Sequence, residues 1–168
     1  MGRQRLIFFQ EGWAWTKGEE RLYRRLLKGF SPVLHVFSGR STLGDVRIDR
    51  EDFPQVTHRI EVKPEIGFRL PFPNQSFDAT IFDPPWINQY FVWAAWEIPR
   101  VTRRRIIAVT GNFWFNLHGR YSGIFRRRSI YVIKLTGPLA KLVFVYDRDP
   151  EALTSFLNSE RLRREEQK

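Results

Sequence analysis

The 168-residue sequence contains no cysteine, which excludes disulfide bonds, thiol nucleophiles and cysteine-ligated zinc sites. Its three histidines, His35, His58 and His118, are scattered and leave little from which to build a metal site. No apolar run approaches the roughly 20 residues that cross a bilayer. The apolar stretch Leu6–Phe9 is too short for the core of a signal peptide. We therefore expect an intracellular, cytoplasmic protein with no metal and no membrane association.

Acidic residues are scarce relative to basic ones. The chain has 28 Lys and Arg against 18 Asp and Glu, a net charge of +10. Most of the excess is arginine, clustered at residues 24–25, 103–105 and 126–128. The alternative explanation is a thermophilic surface rich in ion pairs, but the excess goes beyond balanced pairing. The charge favours a nucleic-acid partner.

Hydrophobic residues make up 42% of the chain and aromatic residues 15%, which is typical of a globular protein. The length predicts a single domain over residues 1–168. The patterns predict helices at 16–28, 89–101 and from Asp149 onward, and strands at 33–37, 45–49, 57–62, 78–82, 106–110, 129–135 and 140–147. This alternation, closed by a hairpin with its turn at 136–138, indicates an α/β fold whose sheet is mostly parallel with a C-terminal antiparallel hairpin. In such sheets ligands bind at the carboxyl ends of the strands.

The segment FDATIFDPPW, residues 77–86, ends a buried strand with Asp83, two prolines and Trp86. Neither proline has an N–H group for the sheet, so the strand must stop there. A chain that needed only a turn would more simply use Asn-Gly or Pro-Gly. We therefore favour a functional site at this strand end. The alternative is a rigid turn with Trp86 capping the core.

Asp83-Pro84-Pro85-Trp86 resembles the (Asp/Asn/Ser)-Pro-Pro-(aromatic) motif of the class I amino methyltransferases. Three further segments are similar to that family: VLHVFSG at 33–39 to its first strand and glycine loop, Asp49 to its ribose-binding acid, and residues 70–86 to the run that leads into its fourth strand. The resemblance covers roughly residues 33–109. It implies a Rossmann-like class I methyltransferase sheet, S-adenosyl-L-methionine as cofactor, and methyl transfer to the exocyclic amine of a nucleic-acid base.

The resemblance also implies roles for individual residues. The Asp83 carboxylate and the Pro84 carbonyl would accept hydrogen bonds from the amine, Pro85 would keep that carbonyl rigid, and Trp86 would stack on the base. No strong general base is needed, because the product ammonium loses its proton readily. The implied cofactor-binding residues are Phe37, Ser38, Gly39 and Asp49. Ser38-Gly39 as a simple turn, and Asp49 as a helix cap or a partner of Arg47 or Arg50, are the alternatives.

The segment at residues 110–128 interleaves aromatic and basic side chains, which suits stacked bases and phosphates. It follows a strand end on the same side of the sheet as Asp83. The predicted nucleic-acid contacts are Asn112, Trp114, His118, Arg120, Arg126, Arg127 and Arg128. The alternative is a hydrophobic lid packed on the sheet.

Two features depart from the family's pattern. Only residues 38–44 separate the first two strands, whereas a parallel crossover normally needs a dozen or more residues. Either the first crossover helix is reduced to a turn, or these two strands are not paired as the family pairs them. The acid that contacts the cofactor's adenine has no clear counterpart, and Glu65 is nearest in kind. Weak cofactor binding, a second subunit that completes the pocket, or an accessory recognition subunit is consistent with these departures.

The sequence thus predicts a S-adenosylmethionine-dependent methyltransferase acting on DNA, at adenine N6 or cytosine N4. Both reactions use the same acceptor geometry, so the motif does not separate them. The alternatives are an RNA base methyltransferase and a catalytically inactive nucleic-acid-binding module on a methyltransferase scaffold.

Overall fold

The structure, a computed structural model, describes residues 15–65, 67–111, 114–135 and 139–151. The helices and strands in these ranges are, in chain order, α1 (Lys17–Leu26), β1 (Val33–Val36), β2 (Val46–Asp49), β3 (His58–Arg59), β4 (Phe77–Phe82), α2 (Asn88–Val101), β5 (Thr102–Thr110), α3 (Arg120–Ile124), β6 (Phe125–Lys134) and β7 (Ala140–Arg148).

The described strands form one sheet in the order β3-β2-β1-β4-β5-β7-β6. Strands β1 to β5 pair in parallel, and β7 runs antiparallel to both β5 and β6. The chain builds outward from β1 to β3, then returns to the other side of β1 with β4. The strand order therefore reverses between β1 and β4, the point at which open α/β sheets bind ligands. The predicted α/β sheet, mostly parallel with a C-terminal antiparallel hairpin, is confirmed at this level.

Successive residues of the central strands point to opposite faces of the sheet, so each face has its own core. One core lies under α2 and includes Phe82, Ala94, Ile98, Ile106, Ala108 and Phe144. The other lies under α1 and includes Tyr23, Leu26, Ile81, Ile107, Val109 and Val145. Full burial of one such large side chain is worth about 1.5–3 kcal/mol, so the two cores account for the packing of the helices on the sheet.

Helix α1 begins with a capping box formed by Thr16 and Glu19. The Thr16 hydroxyl accepts a hydrogen bond from the backbone N–H of Glu19 at 3.2 Å, and the Glu19 carboxylate accepts one from the N–H of Thr16 at 2.8 Å. Gly29 follows the helix with a φ of +84°, a conformation that glycine adopts without strain. The start of α1 is therefore fixed by local side chains, directly after Trp15.

Several element boundaries differ from those predicted. Strand β3 is only His58–Arg59, whereas the sequence predicts a strand over 57–62. Strand β5 begins at Thr102 instead of Ile106, because Arg105 pairs with Asp147 of β7 and continues the ladder through the basic cluster. The antiparallel hairpin is confirmed, but its turn at 136–138 lies outside the described residues. So does most of the last predicted helix, although the N–H of Glu151 donates to the Asp149 carboxylate at 3.0 Å, as an N-cap requires.

The connection between β1 and β2 contains no helix, as the sequence predicts, yet the two strands are parallel neighbours. Backbone and side chain of Asp45 both bond to Val33, at 2.8 and 2.7 Å, which ties the end of the connection to the start of β1. Gly44 has a φ of +94°, and a Cβ atom there would lie 3.3 Å from the Val33 carbonyl oxygen. The chain therefore returns directly along β1, and only glycine allows this close approach.

A buried ion pair joins α2 to the loop before β4. The Arg100 guanidinium lies 2.5 Å from the Glu97 carboxylate, and the two side chains are only 10% and 6% exposed. Glu97 also accepts a hydrogen bond from the backbone N–H of Leu70 at 2.7 Å, and Arg100 donates to the carbonyls of Leu70 and Phe72. The pair thereby satisfies the backbone of the loop at 70–72 and orients the chain that enters β4.

We expect Glu97→Ala to lower the free energy of unfolding by about 3–5 kcal/mol, because it leaves a buried guanidinium without its counter-charge. Urea unfolding followed by circular dichroism measures the change. The matched control is Glu20→Ala, which removes an exposed ion pair with Arg24 on α1 and should cost about 0.5 kcal/mol or less. Equal losses in the two variants would show that the Glu97 pair does not hold the loop.

Candidate active site

A cleft of about 570 Å³, partly open to solvent, lies at the carboxyl ends of β1, β2 and β4. Four of the sequence-predicted site residues line it together: Phe37, Asp49, Asp83 and Pro85. The rest of its wall consists of Ile48, Arg50, Glu51, Phe53, Ile60, Val62 and Tyr90. The cleft therefore combines apolar walls with acidic groups at the switch point of the sheet.

Asp83 stands directly after β4, where its backbone N–H donates to the Val36 carbonyl at 3.4 Å. Its side chain is half-buried, and the Oδ2 atom accepts a hydrogen bond from the Trp15 indole N–H at 2.7 Å. Burial raises the pKa of Asp83 above its ordinary value, although Lys141 and the Trp15 hydrogen bond act in the opposite direction. Among the described residues, Trp15 is the one hydrogen-bond donor to this carboxylate.

An ion pair between Lys141 and Glu19 lies near Asp83 on the α1 side of the sheet. Lys141 of β7 is 2.7 Å from Glu19 of α1, and both side chains are largely buried. Burial opposes ionisation of Glu19, but hydrogen bonds from Lys141 and Thr16 outweigh it and lower the pKa of Glu19. The charge of Lys141 favours the ionised form of Asp83, and that of Glu19 opposes it.

The two prolines and Trp86 form the turn from β4 into α2. The N–H of Ile87 donates to the Pro85 carbonyl at 2.6 Å, which closes the turn, and Pro84 is buried. Trp86 is half-buried, and its ring lies directly against Gly111, where a Cβ atom would be 2.4 Å from the indole. Trp86 is not part of the cleft wall. The indole thus packs against the end of β5 beside the cleft, and its predicted stacking role rests on the part of the ring that stays accessible.

Asp49 lines the cleft and also accepts hydrogen bonds from two backbone N–H groups. Its Oδ2 atom accepts from the Gly39 N–H at 2.8 Å, and its Oδ1 atom accepts from the Glu51 N–H at 3.0 Å. The predicted alternative of a salt bridge does not apply, because Arg50 pairs with Glu51 and Arg47 donates to the carbonyls of Gln55 and Gly44. The carboxylate therefore holds the β1 and β2 loops together at the cleft.

Ser38, one of the predicted cofactor-binding residues, is buried. The side chain is only 3% exposed, and its hydroxyl has no hydrogen-bond partner among the described residues. Its N–H donates to the Ile48 carbonyl at 3.0 Å, which turns the side chain inward as the chain leaves β1. Ser38 therefore does not form part of the cleft wall, whereas its neighbour Phe37 does.

Phe37 has a φ of +62°, in the left-handed region that non-glycine residues seldom occupy. Its ring meets Tyr90 of α2 edge to face at 5.3 Å. Gly39, two residues on, also has a positive φ of 51°. Such strained backbone concentrates at binding sites, where the surrounding packing maintains it.

His35 lies in the middle of β1 and is fully buried. Its Nδ1 atom is 3.1 Å from the Leu43 carbonyl, and its Nε2 atom has no partner within the described part of the chain. Burial lowers the pKa of His35 to about 3, so the imidazole is neutral at physiological pH. His35 is therefore a core histidine with one of its two nitrogens bonded.

The segment after β5 resembles a lid packed on the sheet, with a polar outer side. Phe115 and Leu117 are buried in the α2-side core, and the Phe115 carbonyl accepts from the Tyr146 hydroxyl at 2.6 Å. Trp114, 60% exposed, and His118 lie on either side of this pair and face outward. Asn112 lies outside the described residues. This alternation of inward and outward side chains is compatible with both interpretations of the segment, a hydrophobic lid on the sheet and a surface that binds nucleic acid.

The predicted arginine contacts are exposed but have different partners. Arg127 lies over the Trp114 ring at 4.9 Å, and Arg120 lies over the Tyr121 ring at 5.0 Å. Arg126 is 2.5 Å from Asp149, and Arg128 is 3.9 Å from Asp147. Arg127 and Arg120 thus join an aromatic surface, whereas Arg126 and Arg128 are partly neutralised by carboxylates.

Trp15 contacts Asp83, although no motif in the sequence marks it as a site residue. Its ring stacks on His35 at 4.8 Å and meets Tyr23 edge to face at 4.4 Å. The only local signal is an aromatic residue directly before the capping box, and such a signal does not name its partner. Asp83 is 68 residues away in sequence.

Comparison with known proteins gives no assignment: no protein-family model matches the chain, and no curated protein does. Within the described ranges no three His, Asp or Glu side chains are grouped as metal ligands, and no helix there has the length and apolarity to cross a membrane.

We expect Asp83→Asn to be more stable than the wild type at pH 7. Since the pKa of Asp83 is raised in the folded state, folding costs free energy once pH exceeds the unfolded value, and asparagine removes this cost while its carbonyl can still accept from Trp15. Each kcal/mol gained raises the melting midpoint by about 2–4 °C in a domain of this size. The gain should shrink as pH falls toward the ordinary carboxyl range, where Asp83 is protonated in both states.

Thermal melts of both proteins from pH 4 to 8 test this expectation. The control is Asp52→Asn, an exposed position where the change should stay within about 0.5 kcal/mol at every pH. A stability difference for Asp83→Asn that grew as the pH fell would contradict the raised pKa.

Proposed function

We propose that this protein is an S-adenosylmethionine-dependent methyltransferase that acts on the exocyclic amino group of a nucleic-acid base, with adenine N6 in DNA as the first candidate. The observation that carries the proposal is the position of Asp83, whose carboxylate and adjoining Pro-Pro turn stand at the switch-point cleft beside Asp49. The mostly parallel sheet with its antiparallel C-terminal pair supports it, since the sequence resemblance implies this arrangement.

The geometry at Asp83 suits an amine that is a poor nucleophile. The lone pair of an exocyclic amine is delocalised into the ring, so attack requires the nitrogen to become more tetrahedral. Acceptors aimed at its hydrogens favour that change and stabilise the positive charge that develops on nitrogen. The Asp83 carboxylate is one such acceptor, and the Pro84 carbonyl, held by two rigid residues, is the other.

The chemistry of the cleft fits the cofactor. S-adenosylmethionine supplies an electrophilic methyl group on a sulfonium centre. Asp49 is suited to accept hydrogen bonds from ribose hydroxyls, as acids at this strand end do in related nucleotide-binding sheets. The apolar side chains Phe53, Ile60 and Val62 would contact the purine ring, in place of the missing acid near Glu65. Gly39 and the strained Phe37 would bring the β1 loop close to the methionine part.

An exposed surface of aromatic and basic side chains, on the segment between β5 and β6 and on β6 itself, supports a nucleic-acid substrate. Trp114 and Arg127, together with Arg120 and His118, place aromatic rings and positive charge on an exposed segment that starts at the end of β5. Bases stack on such rings, and arginines bind phosphates in a salt-dependent way. The net charge of +10 adds long-range attraction to a polyanion. An RNA base is the alternative substrate, because the same acceptors serve it.

A binding module without catalysis is the second candidate, and one feature favours it. The Gly39 N–H is already bonded to Asp49, and the Ser38 hydroxyl is buried, so the β1 loop offers few free donors to a cofactor. Such a module would respond to nucleic acid but not to S-adenosylmethionine.

We expect Asp83→Ala to reduce methyl transfer by about 10²–10³-fold, because it removes one of two groups that stabilise the developing charge. Transfer of labelled methyl to duplex DNA, single-stranded DNA and RNA measures this and identifies the substrate. Affinity for nucleic acid should change little. The control is Asp78→Asn at the opposite end of β4, where the carboxylate pairs with Arg103 and Arg104. Undiminished transfer by Asp83→Ala would remove the role assigned to this carboxylate.

We expect Asp49→Asn to weaken S-adenosylmethionine binding by about 10- to 100-fold, since hydrogen bonds to a charged group are worth about 1.5–3 kcal/mol. Calorimetry gives the affinity, and the ligand-induced rise in melting temperature gives an independent measure. Glu61→Gln, at an exposed position, serves as the control. A wild-type protein stabilised by nucleic acid and not by S-adenosylmethionine would favour the binding module.

A further inference from the structure

We propose that Trp15 is a positioning residue for Asp83: its indole N–H holds one carboxylate oxygen so that the other is presented to the substrate amine. This inference rests on the proposed function. It concerns a contact between the residue before the N-cap of α1 and the end of β4 that nothing in the sequence predicts.

The indole is held on several sides. It stacks on His35 with ring centroids 4.8 Å apart and an angle of 16°, and it meets Tyr23 at 4.4 Å. His35 is itself fixed by the Leu43 carbonyl, and the capping box at Thr16 fixes the following residue. The Nε1–H group therefore cannot turn away from Asp83 without disturbing packed rings. A donor fixed in this way imposes one orientation on the carboxylate.

Trp15 and the cleft lie on opposite sides of Asp83. The indole packs with the core under α1, whereas Phe37, Ile48, Val62 and Tyr90 of the cleft wall belong with the core under α2. The bond from Trp15 goes to Oδ2, and no described residue donates to Oδ1. The Oδ2 atom is thus held by Trp15 on the α1 side, and the Oδ1 atom remains as an acceptor for the amine.

A different role for Trp15 would be that of a plug. An aromatic N–H bonded to the acceptor carboxylate imitates a base amine, and it would then inhibit the enzyme. The position of the indole in the α1-side core, outside the cleft wall, favours positioning instead. The two roles predict opposite effects on activity when the N–H is removed.

The ionisable groups around Asp83 define the expected pH behaviour. Glu19 and Tyr23 face it from α1 and Lys141 from β7, while Asp49, Arg50 and Glu51 share the cleft. His35 of β1 stacks on Trp15 behind it. A hydrogen bond from Trp15 favours the ionised carboxylate, so its loss should raise the pKa of Asp83 further. The acidic limb of the pH–activity profile should then move to higher pH.

The experiment compares Trp15→Phe with wild type and with Trp96→Phe, a half-exposed tryptophan on α2 that serves as the matched control. We expect Trp15→Phe to lower kcat by about 10- to 100-fold at pH 7, with the deficit shrinking at high pH, while KM for S-adenosylmethionine and nucleic-acid affinity stay within about twofold. Trp96→Phe should behave as wild type. Higher activity in Trp15→Phe would identify a plug, and an unchanged pH profile would overturn the positioning role.

A second measurement separates this inference from the proposed function. The Asp83 carboxyl carbon, assigned by comparison with Asp83→Asn, is titrated by nuclear magnetic resonance in wild type and Trp15→Phe. In wild type the Trp15 indole proton should titrate together with it, which tests the contact even if Trp15→Phe does not fold. No transfer by wild type, with the carboxyl titration shifted as expected, would overturn the proposed function and leave the contact between Trp15 and Asp83 established. Identical titration curves would overturn the inference whatever the activity.

Discussion

The candidate site depends on the register between two parallel strands. Val36 of β1 is paired with Phe82 of β4, so both strands end at the same level and Phe37 and Asp83 leave the sheet side by side. The bond from the Asp83 N–H to the Val36 carbonyl extends this register one residue beyond the strand. Because the strand order reverses between β1 and β4, no helix crosses directly over this point, and a cleft remains. A shift by one residue would reverse the side-chain directions of β4 and remove Asp83 from the cleft.

The carboxylate at this point carries a thermodynamic cost that the surrounding structure offsets only in part. Burial raises the pKa of Asp83, and Lys141 and Trp15 counteract it without cancelling it. A group in this state is available both to accept hydrogen bonds and to respond to its neighbours, which is common at functional sites. The same reasoning distinguishes Asp83 from Glu97, whose buried charge is balanced by Arg100 and by a backbone N–H and which therefore supports the fold.

The direct connection between β1 and β2 lacks a crossover helix, yet the carboxyl ends of the two strands still form part of the cleft. Asp45 ties the connection to Val33, and Gly44 permits a close approach to the strand below. Asp49 then joins the β1 and β2 loops through Gly39 and Glu51. Short-range hydrogen bonds thus replace the packing of a crossover helix, and the cleft wall is formed by side chains of the loops.

The local secondary structure of this protein follows from its sequence. The capping box of α1, the strand that ends at Asp83, the antiparallel hairpin and the absence of a crossover helix all follow from residues close together in the chain, whose chemistry decides the backbone there. The strand ends at Phe37, Asp49 and Asp83 could be placed on one edge because parallel strands share their carboxyl ends. The tertiary structure alone decided which side chains meet: Trp15 with Asp83, Glu19 with Lys141, Trp86 with Gly111, and the inward turn of Ser38. These contacts join residues from separate elements or depend on how a loop packs. No periodicity or motif in the sequence specifies such pairs, because they form only when the helices and loops pack on the two faces of the sheet.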